Sequence, residues 1–415
     1  MDTTSEQGAE SGLAHWERLR RALGDESLPA ALCDLDALEA NARRLFAAAR
    51  GDGTTPGKKL RLATKSIRCP SIIGRLAKLG GEGVIGLMTF AAQETLFLAQ
   101  QGHADLLLAY PTLHPRDCQA LAEANKLARA AVAVDEWEQA LALARAGVAA
   151  GLRIPVIIDI DASYRPLQLA AVHLGVRRSP LRGADEVVAL AERIANQPGL
   201  SFLGLMSYEA QVAGLPDRGA GLLMDAAVRT IKSRSLEQLA GSRAATVRQL
   251  EAKGLKPQLF NGGGTGSIHA AARDAHLTEL TAGSGFFASH LFDSFDGLSL
   301  APALSFALQV TRRPKPGLVT CAGGGVIASG EAGPSRLPQP WLPPGLSLLA
   351  HEGAGEVQTP LQHPPALSIP LGAPVFFRPA KAGEPLERFN DLLCLRGDKL
   401  EERARTYRGL GFNFG

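Results

Sequence analysis

LRLATKSIRCPSIIGRLAKLGGEGVIGLM, residues 60–88, carries the reading that decides the fold. It opens on a short apolar run, LRLATK (60–65), and closes on another, GVIGLM (83–88). Between them CPSIIGRLAKLGG spaces its apolar residues three and four apart and ends in glycine, the pattern of an amphipathic helix with its stop signal. The runs are nearly continuous in hydrophobicity, as expected of strands in a parallel sheet covered on both faces. Outward from this unit the pattern repeats in DLLLAY (105–110), RAAVAVD (129–135), IPVIIDID (154–161), LSFLGLMSYE (200–209), PQLFNGG (257–263) and LTELTAG (277–283). Helical patterns such as TFAAQETLFLAQQG and EWEQALALARAG lie between them. Eight such strands predict an α/β chain built on a (β/α)8 TIM barrel. An open doubly wound sheet is the rival reading, although it usually has fewer strands in a row.

After about residue 295 the chain becomes rich in proline and glycine, as in RRPKPG, SRLPQPWLPPG and HPPALSIPLGAP. LSFALQVTRR, GLVTCAGG, HEGAGEVQTPL, APVFFRP and DLLCLRGDKL read as antiparallel strands with tight connections. The expected division is a helical lead-in over residues 1–30 that packs near a β-rich domain, a barrel over 31–295, and that C-terminal β domain over 296–415.

The chain has 415 residues, 46% hydrophobic and 20% charged, which permits a large core and excludes global disorder. Its 44 basic and 41 acidic residues leave a net charge of +3, too even for a nucleic-acid binder or a protein of anionic membranes. No apolar run approaches the roughly 20 residues that span a bilayer. The polar, acidic N-terminus has no signal-peptide core. Five scattered cysteines without a CxxC pair fit a reducing compartment. The expectation is a cytoplasmic enzyme.

In a barrel the working site lies at the C-terminal ends of the strands. Those ends carry Lys65, Asp159, Asp161, Tyr208, Glu209, Asn261 and Ser284. A lysine at a barrel mouth can lose its proton when desolvated and attack a carbonyl to form a Schiff base; a solvated strand-end lysine is the plain alternative. NGGGTGS (261–267) follows the seventh strand and AGSG (282–285) ends the eighth. Glycines let backbone amides approach an anion, and barrel phosphate sites often use these two loops. No lysine follows the glycines, so a P-loop is excluded. A strand-end lysine beside a phosphate cradle suggests pyridoxal phosphate.

LPAALCDLDALEANARRLF (28–46) and ATKSIRCP (63–70) resemble the fold-type III pyridoxal-phosphate enzymes, the alanine racemase-like barrel family. The likeness is to their D-threonine aldolase and D-serine dehydratase branch, including the group described as amino acid aldolases or racemases. It continues through HLGVRRSP (173–180), GLMSYEAQVAG (204–214), FNGGGTGS (260–267) and TAGSGFF (281–287), and so covers the barrel nearly end to end. The resemblance implies an N-terminal barrel, a C-terminal β domain and a homodimer. It makes Lys65 the cofactor lysine, and it makes Gly263, Gly264, Thr265, Gly283 and Ser284 the phosphate cradle. Tyr208, Gln211 and His173 fall where the family approaches the cofactor, His173 standing where relatives carry an arginine. The branch also places a zinc or manganese pair in the C-terminal domain. Here Pro379 and Lys381 occupy those positions, and neither offers a lone pair at neutral pH, so no divalent metal is expected. His351 and His363 read as surface or structural residues. Lys381 could supply a fixed positive charge instead.

The implied activity is a lyase on a 3-hydroxy amino acid, D-configured by the resemblance, either cleaving Cα–Cβ or dehydrating it. Racemisation or deamination on the same fold is the alternative, although a second base beyond Lys65 is not evident; Tyr208 is a candidate. Two further readings are a non-catalytic pyridoxal-phosphate-binding protein and a cofactor-free sugar-phosphate aldolase.

Overall fold

The computed structural model describes residues 3–166, 173–219 and 221–415, the first seven by backbone alone. Eight parallel strands close into a barrel: β2 (Lys59–Ala63), β3 (Val84–Thr89), β4 (Asp105–Leu108), β5 (Arg129–Val134), β6 (Ile154–Asp159), β7 (Leu200–Ser207), β8 (Leu259–Gly262) and β9 (Glu279–Ala282). All eight coincide with the apolar runs of the sequence. β2 pairs with both β3 and β9, which closes the ring. Inside it Leu107, Ala109, Ala131, Ala133, Ile157 and Met206 are packed out of contact with water. The outer helices bury their apolar stripes against the strands, as Ile72, Ile73 and Leu76 of the helix Pro70–Gly80 do. Each such side chain contributes about 1.5–3 kcal/mol of transfer free energy.

The remaining strands are β1 (Ala30–Asp34), β10 (Leu304–Lys315), β11 (Leu318–Ala322), β12 (Gln339–Leu342), β13 (Ser347–Leu348), β14 (Gln358–Gln362), β15 (Pro374–Arg378), β16 (Asp391–Arg396) and β17 (Lys399–Arg405). They form one sheet of nine strands. β1 lies in its centre, antiparallel to β10 and parallel to β16, so the first strand of the chain belongs to the β domain. The expected boundary at residue 31 therefore shifts: the chain enters the barrel only after β1, at the helix Leu35–Arg50, whose N-terminus is capped by the Asp34 carboxylate accepting from Ala37 N at 3.1 Å. The N-terminal helix Thr3–Leu23 lies on the β domain, with Trp16, Leu19 and Leu23 in its core and Trp16 Nε1 donating to the Pro374 carbonyl at 2.9 Å.

The β domain reaches over the barrel mouth. At Gly383 a Cβ would collide with the carbonyl oxygen of Lys65, so only glycine lets this loop close down on the site. Tyr407 N donates to the Arg68 carbonyl at 2.9 Å, a second tie between the domains.

Candidate active site

Lys65 stands on the turn Thr64–Ser66, directly after β2. Its Nζ donates to the phenol oxygen of Tyr110 at 3.0 Å. Tyr110 follows β4 and lies against the Arg178 guanidinium, 5.3 Å from the ring centre. Arg178 is fixed by two bonds of 2.9 Å, from Nε to Asp159 Oδ2 at the end of β6 and from Nη2 to the Ala109 carbonyl. Burial alone would push the Tyr110 phenol up, but the charges of Lys65 and Arg178 and the Lys65 hydrogen bond bring it below its ordinary value. Burial pushes Asp159 up to about 6, against the pull of Arg178. Tyr208, after β7, is pushed up to about 12 by burial and by the neighbouring Glu209 charge, so it keeps its proton at neutral pH.

The glycine loop after β8 is shaped from behind. Glu209 is fully buried and ion-paired to Arg243 at 2.9 Å, which in turn holds Asp274 at 2.7 Å. The Glu209 carboxylate accepts from Gly263 N at 3.3 Å and from Ser267 Oγ at 2.8 Å, and Ser267 Oγ accepts from Gly264 N at 3.0 Å. Gly263 has φ +79°, a conformation that favours glycine. Thr265 Oγ1 accepts from Gly285 N at 3.1 Å and ties the two cradle loops together. Ser66 Oγ and Ser284 Oγ are 2.9 Å apart. The leading amides of the turns Thr265–Ser267 and Ser284–Phe287 have no carbonyl of their own turn ahead of them, as at any helical start.

These residues surround a cavity lined by Lys65, Tyr110, Arg178, Tyr208, Thr265 and Ser284 among others. It opens into an outer cleft of about 1190 Å³ that shares Lys65, Tyr208 and Ser284 and adds Arg336, Lys381 and Glu384 from the β domain.

The structure brings Lys65, Tyr208, Gly263, Gly264, Thr265, Gly283 and Ser284 to one cavity and Lys381 to its outer rim. Two expected residues stand elsewhere. Gln211 is turned away, its amide nitrogen bound to the Ala162 carbonyl at 2.6 Å and Ser235 Oγ at 2.7 Å. His173 follows 167–172, which lie outside the described residues, and its Nε2 lies 3.3 Å from the Val176 carbonyl. A backbone bridge between Tyr164 and Leu174 holds its segment, and Arg178, five residues on, is the cation that lines the cavity. Tyr110 and Arg178 were both missed in the sequence. Tyr110 closes the run DLLLAY, so the strand-end rule that selected Lys65 would have found it.

The residues fit pyridoxal phosphate: an amine at the cavity wall, a glycine cradle and fixed cations. The fit at the cradle is close, since a Cβ on Gly264 would stand 2.9 Å from Ala213 Cβ and 3.1 Å from the Tyr208 ring. A metal pair does not fit at Pro379 and Lys381. Among the described residues no three His, Cys, Asp or Glu side chains converge on one point.

Residues 33–290 match the alanine racemase N-terminal domain. The chain belongs to that family. It is similar to a D-threonine aldolase of an Arthrobacter species, 26% identical over 378 residues that make up 90% of each chain. A 3-hydroxy-D-aspartate aldolase of Paracoccus denitrificans is 27% identical over 263 residues, 62% of this chain and 60% of that protein. Among solved structures, a D-threonine aldolase from Filomicrobium marinum superposes with a TM-score of 0.77 at 23% identity, covering 93% of this chain and 96% of its own. A D-threo-3-hydroxyaspartate dehydratase from a Delftia species gives 0.73 at 20% identity, with coverage of 92% and 98%. The fold is therefore that of the alanine racemase-like enzymes. Among the described residues no helix is long and apolar enough to cross a membrane.

Proposed function

We propose that this protein is a pyridoxal-phosphate-dependent lyase that cleaves or dehydrates a D-configured 3-hydroxy amino acid. The observation that carries the reading is Lys65: its Nζ borders the cavity beside the glycine cradle, bonded to a phenol and, among the described residues, to no carboxylate. Lys65 would hold the cofactor's aldehyde, and the loops of Gly264, Thr265 and Ser284 its phosphate. When bound, the cofactor withdraws electrons from the substrate's Cα, so that a bond to that carbon can break.

The protein's part is positioning and proton handling. Tyr110 fixes the direction of Lys65 Nζ, and Arg178 fixes Tyr110. Lys65 Nζ is the atom that holds and returns a proton. Tyr208, whose phenol is pushed up by burial and by the Glu209 charge, would serve as a proton donor. Lys381 lines the outer cleft, and its positive charge would stabilise a substrate hydroxyl there as it gives up its proton. Gly383 lets its loop pack against the Lys65 carbonyl at the edge of the mouth. The named activities of the D-threonine and 3-hydroxy-D-aspartate aldolases support the substrate class and its configuration. The homodimer belongs to this proposal, and sedimentation measures it.

Borohydride reduction followed by peptide mapping should label Lys65. Product analysis with D- and L-threonine and serine should find glycine plus an aldehyde, or a keto acid plus ammonia, from the D-isomers. A label on another lysine, or turnover confined to L-isomers, overturns the reading.

A further inference from the structure

Among the described residues, two cations of the outer cleft meet no carboxylate: Lys65, bonded to the Tyr110 phenol, and Arg336. Lys381 donates to Ser329 Oγ at 3.0 Å and lies 3.6 Å from Glu384. Arg68 is paired with Glu387 and donates to the Lys65 carbonyl at 3.0 Å. Arg336, at the end of the turn Pro334–Arg336, lines the same cleft. Its guanidinium has no ion pair or hydrogen bond among the described residues, and its Nε is buried without a partner.

The arginine is held in place by its backbone. Its carbonyl accepts from Ala328 N at 2.9 Å, and His290 Nε2 lies 2.9 Å from the next carbonyl, that of Leu337. Ser329 N, in the same loop, donates to Glu384 Oε2 at 2.7 Å. Gly330 has φ +117°, and a Cβ there would stand 3.2 Å from Arg336 Nε, so the guanidinium lies over bare backbone. A segment fastened at three points presents an unmatched cation to the cleft that leads to Lys65.

We propose that Arg336 binds a second carboxylate of the substrate, at the far end of its side chain, and makes the enzyme selective for acidic 3-hydroxy amino acids. The inference deepens the functional reading above and rests on it. An amino acid's own carboxylate shares the carbon that bears the nitrogen held at Lys65, where the inner cavity and the outer cleft meet, and Arg336 lines only the cleft. A carboxylate at the far end of the side chain has the longer reach into that cleft. The planar guanidinium matches a carboxylate with two parallel hydrogen bonds. A site built to bond a polar group also rejects the analogue that lacks it, because its own donors are then left unpaired.

The test is a titration of the holoenzyme with D-aspartate and with D-alanine, followed by the absorbance of the bound cofactor. The two differ in one carboxylate, and neither carries the 3-hydroxyl needed for cleavage. The wild type should prefer D-aspartate by about tenfold or more. In Arg336→Met that ratio should fall toward one through weaker binding of D-aspartate, and Arg336→Lys should keep part of it. A wild type without the preference overturns the inference, whatever becomes of the variants. A preference that survives in Arg336→Met overturns it too, including the case in which both ligands weaken together. A chain that carries no cofactor and takes no borohydride label at Lys65 breaks the functional reading and this inference with it; a labelled chain that does not discriminate breaks this inference alone.

Discussion

The lower half of the barrel and its mouth treat buried charge in opposite ways. Below, Arg61 of β2 is fully buried and grips Glu279 with two bonds of 2.8 Å, while its third nitrogen reaches Asp105 at 2.9 Å. Asn261 completes the layer with a 2.9 Å bond to Glu279. Above, among the described residues, Lys65 has only a phenol for a partner, and Arg178 a single carboxylate. A closed network with every donor answered has nothing left to offer a ligand, and its role is to specify the barrel. A cationic group that the protein leaves unanswered is available for chemistry. Both levels rest on basic side chains of one strand and the turn that follows it, so the difference lies in their partners and not in residue type.

That contrast breaks most sharply at Lys65. Lys65→Ala should cut turnover by about a thousandfold or more, since the amine is both anchor and proton carrier. The side chain is exposed, so urea unfolding should move by less than about 1 kcal/mol. Arg61→Met should do the reverse. It strands the buried Glu279 without its cation, while Asp105 keeps Arg129, at a cost of about 3–5 kcal/mol in the same unfolding measurement, and the folded fraction still labels at Lys65. An Arg61→Met protein of unchanged stability would show the lower layer to be as open as the mouth.

The barrel was legible in the sequence because each strand, buried on both faces, is an unbroken apolar run with its own punctuation. The β domain was less so. β12, β13 and β17 went unread; β17, KLEERAR, is nearly all charged and holds its place through backbone pairing with β16. Placing β1 in the β domain was beyond local reading, since its pairing partners lie more than 270 residues away. In the site, Lys65 and the glycine loops announce themselves by position and composition. Glu209 stands out by its strand-end position, but its part in holding the glycine loop does not, and Arg243 and Glu94 leave no signal, because their function is set by burial and by partners distant in the chain.

Glu94 makes that hidden layer measurable. It is buried behind the Lys65 turn, accepting from Phe90 N at 2.9 Å and from the Tyr407 phenol at 2.8 Å. Burial pushes it up from 4.5 to about 7. The folded protein thus holds a proton that the unfolded chain has lost between those values, so this group's contribution to stability falls as pH rises from about 4.5 to 7. Glu94→Gln should flatten that slope, by about 2–3 kcal/mol across the window. Parallel pH profiles for wild type and variant would mean that Glu94 stays ionised. On the open side of the comparison, Gly264→Val should weaken pyridoxal-phosphate binding by at least about tenfold, because a side chain there holds the phosphate away from the backbone amides. Its φ of −155° suits valine, but the added side chain must displace Ala213 and the Tyr208 ring, so urea unfolding is run beside the titration as the control on the fold; unchanged cofactor affinity would move the cradle elsewhere.

The smallest expected effect lies at the rim, where the two kinds of charge meet. Lys381 is half answered: Ser329 Oγ accepts from it at 3.0 Å and Glu384 lies 3.6 Å away, yet its side chain is 39% exposed. Solvent screens such a charge, so its removal should cost turnover about threefold to tenfold and not the thousandfold of Lys65. Lys381→Met keeps much of the stem and removes the ammonium, so the cofactor spectrum and KM for small substrates serve as controls on placement. Chelator should leave the wild type at full activity, because Pro379 and Lys381 offer no lone pair at the positions where metal-dependent relatives are expected to carry ligands. Loss of activity with chelator, restored by zinc or manganese, would return the rim to metal chemistry and reopen His351, His363 and Cys394 as ligands. If the substitution and the chelator are both without effect, Lys381 is a solvated lysine, and the cleft's working charge reduces to Lys65 and Arg336.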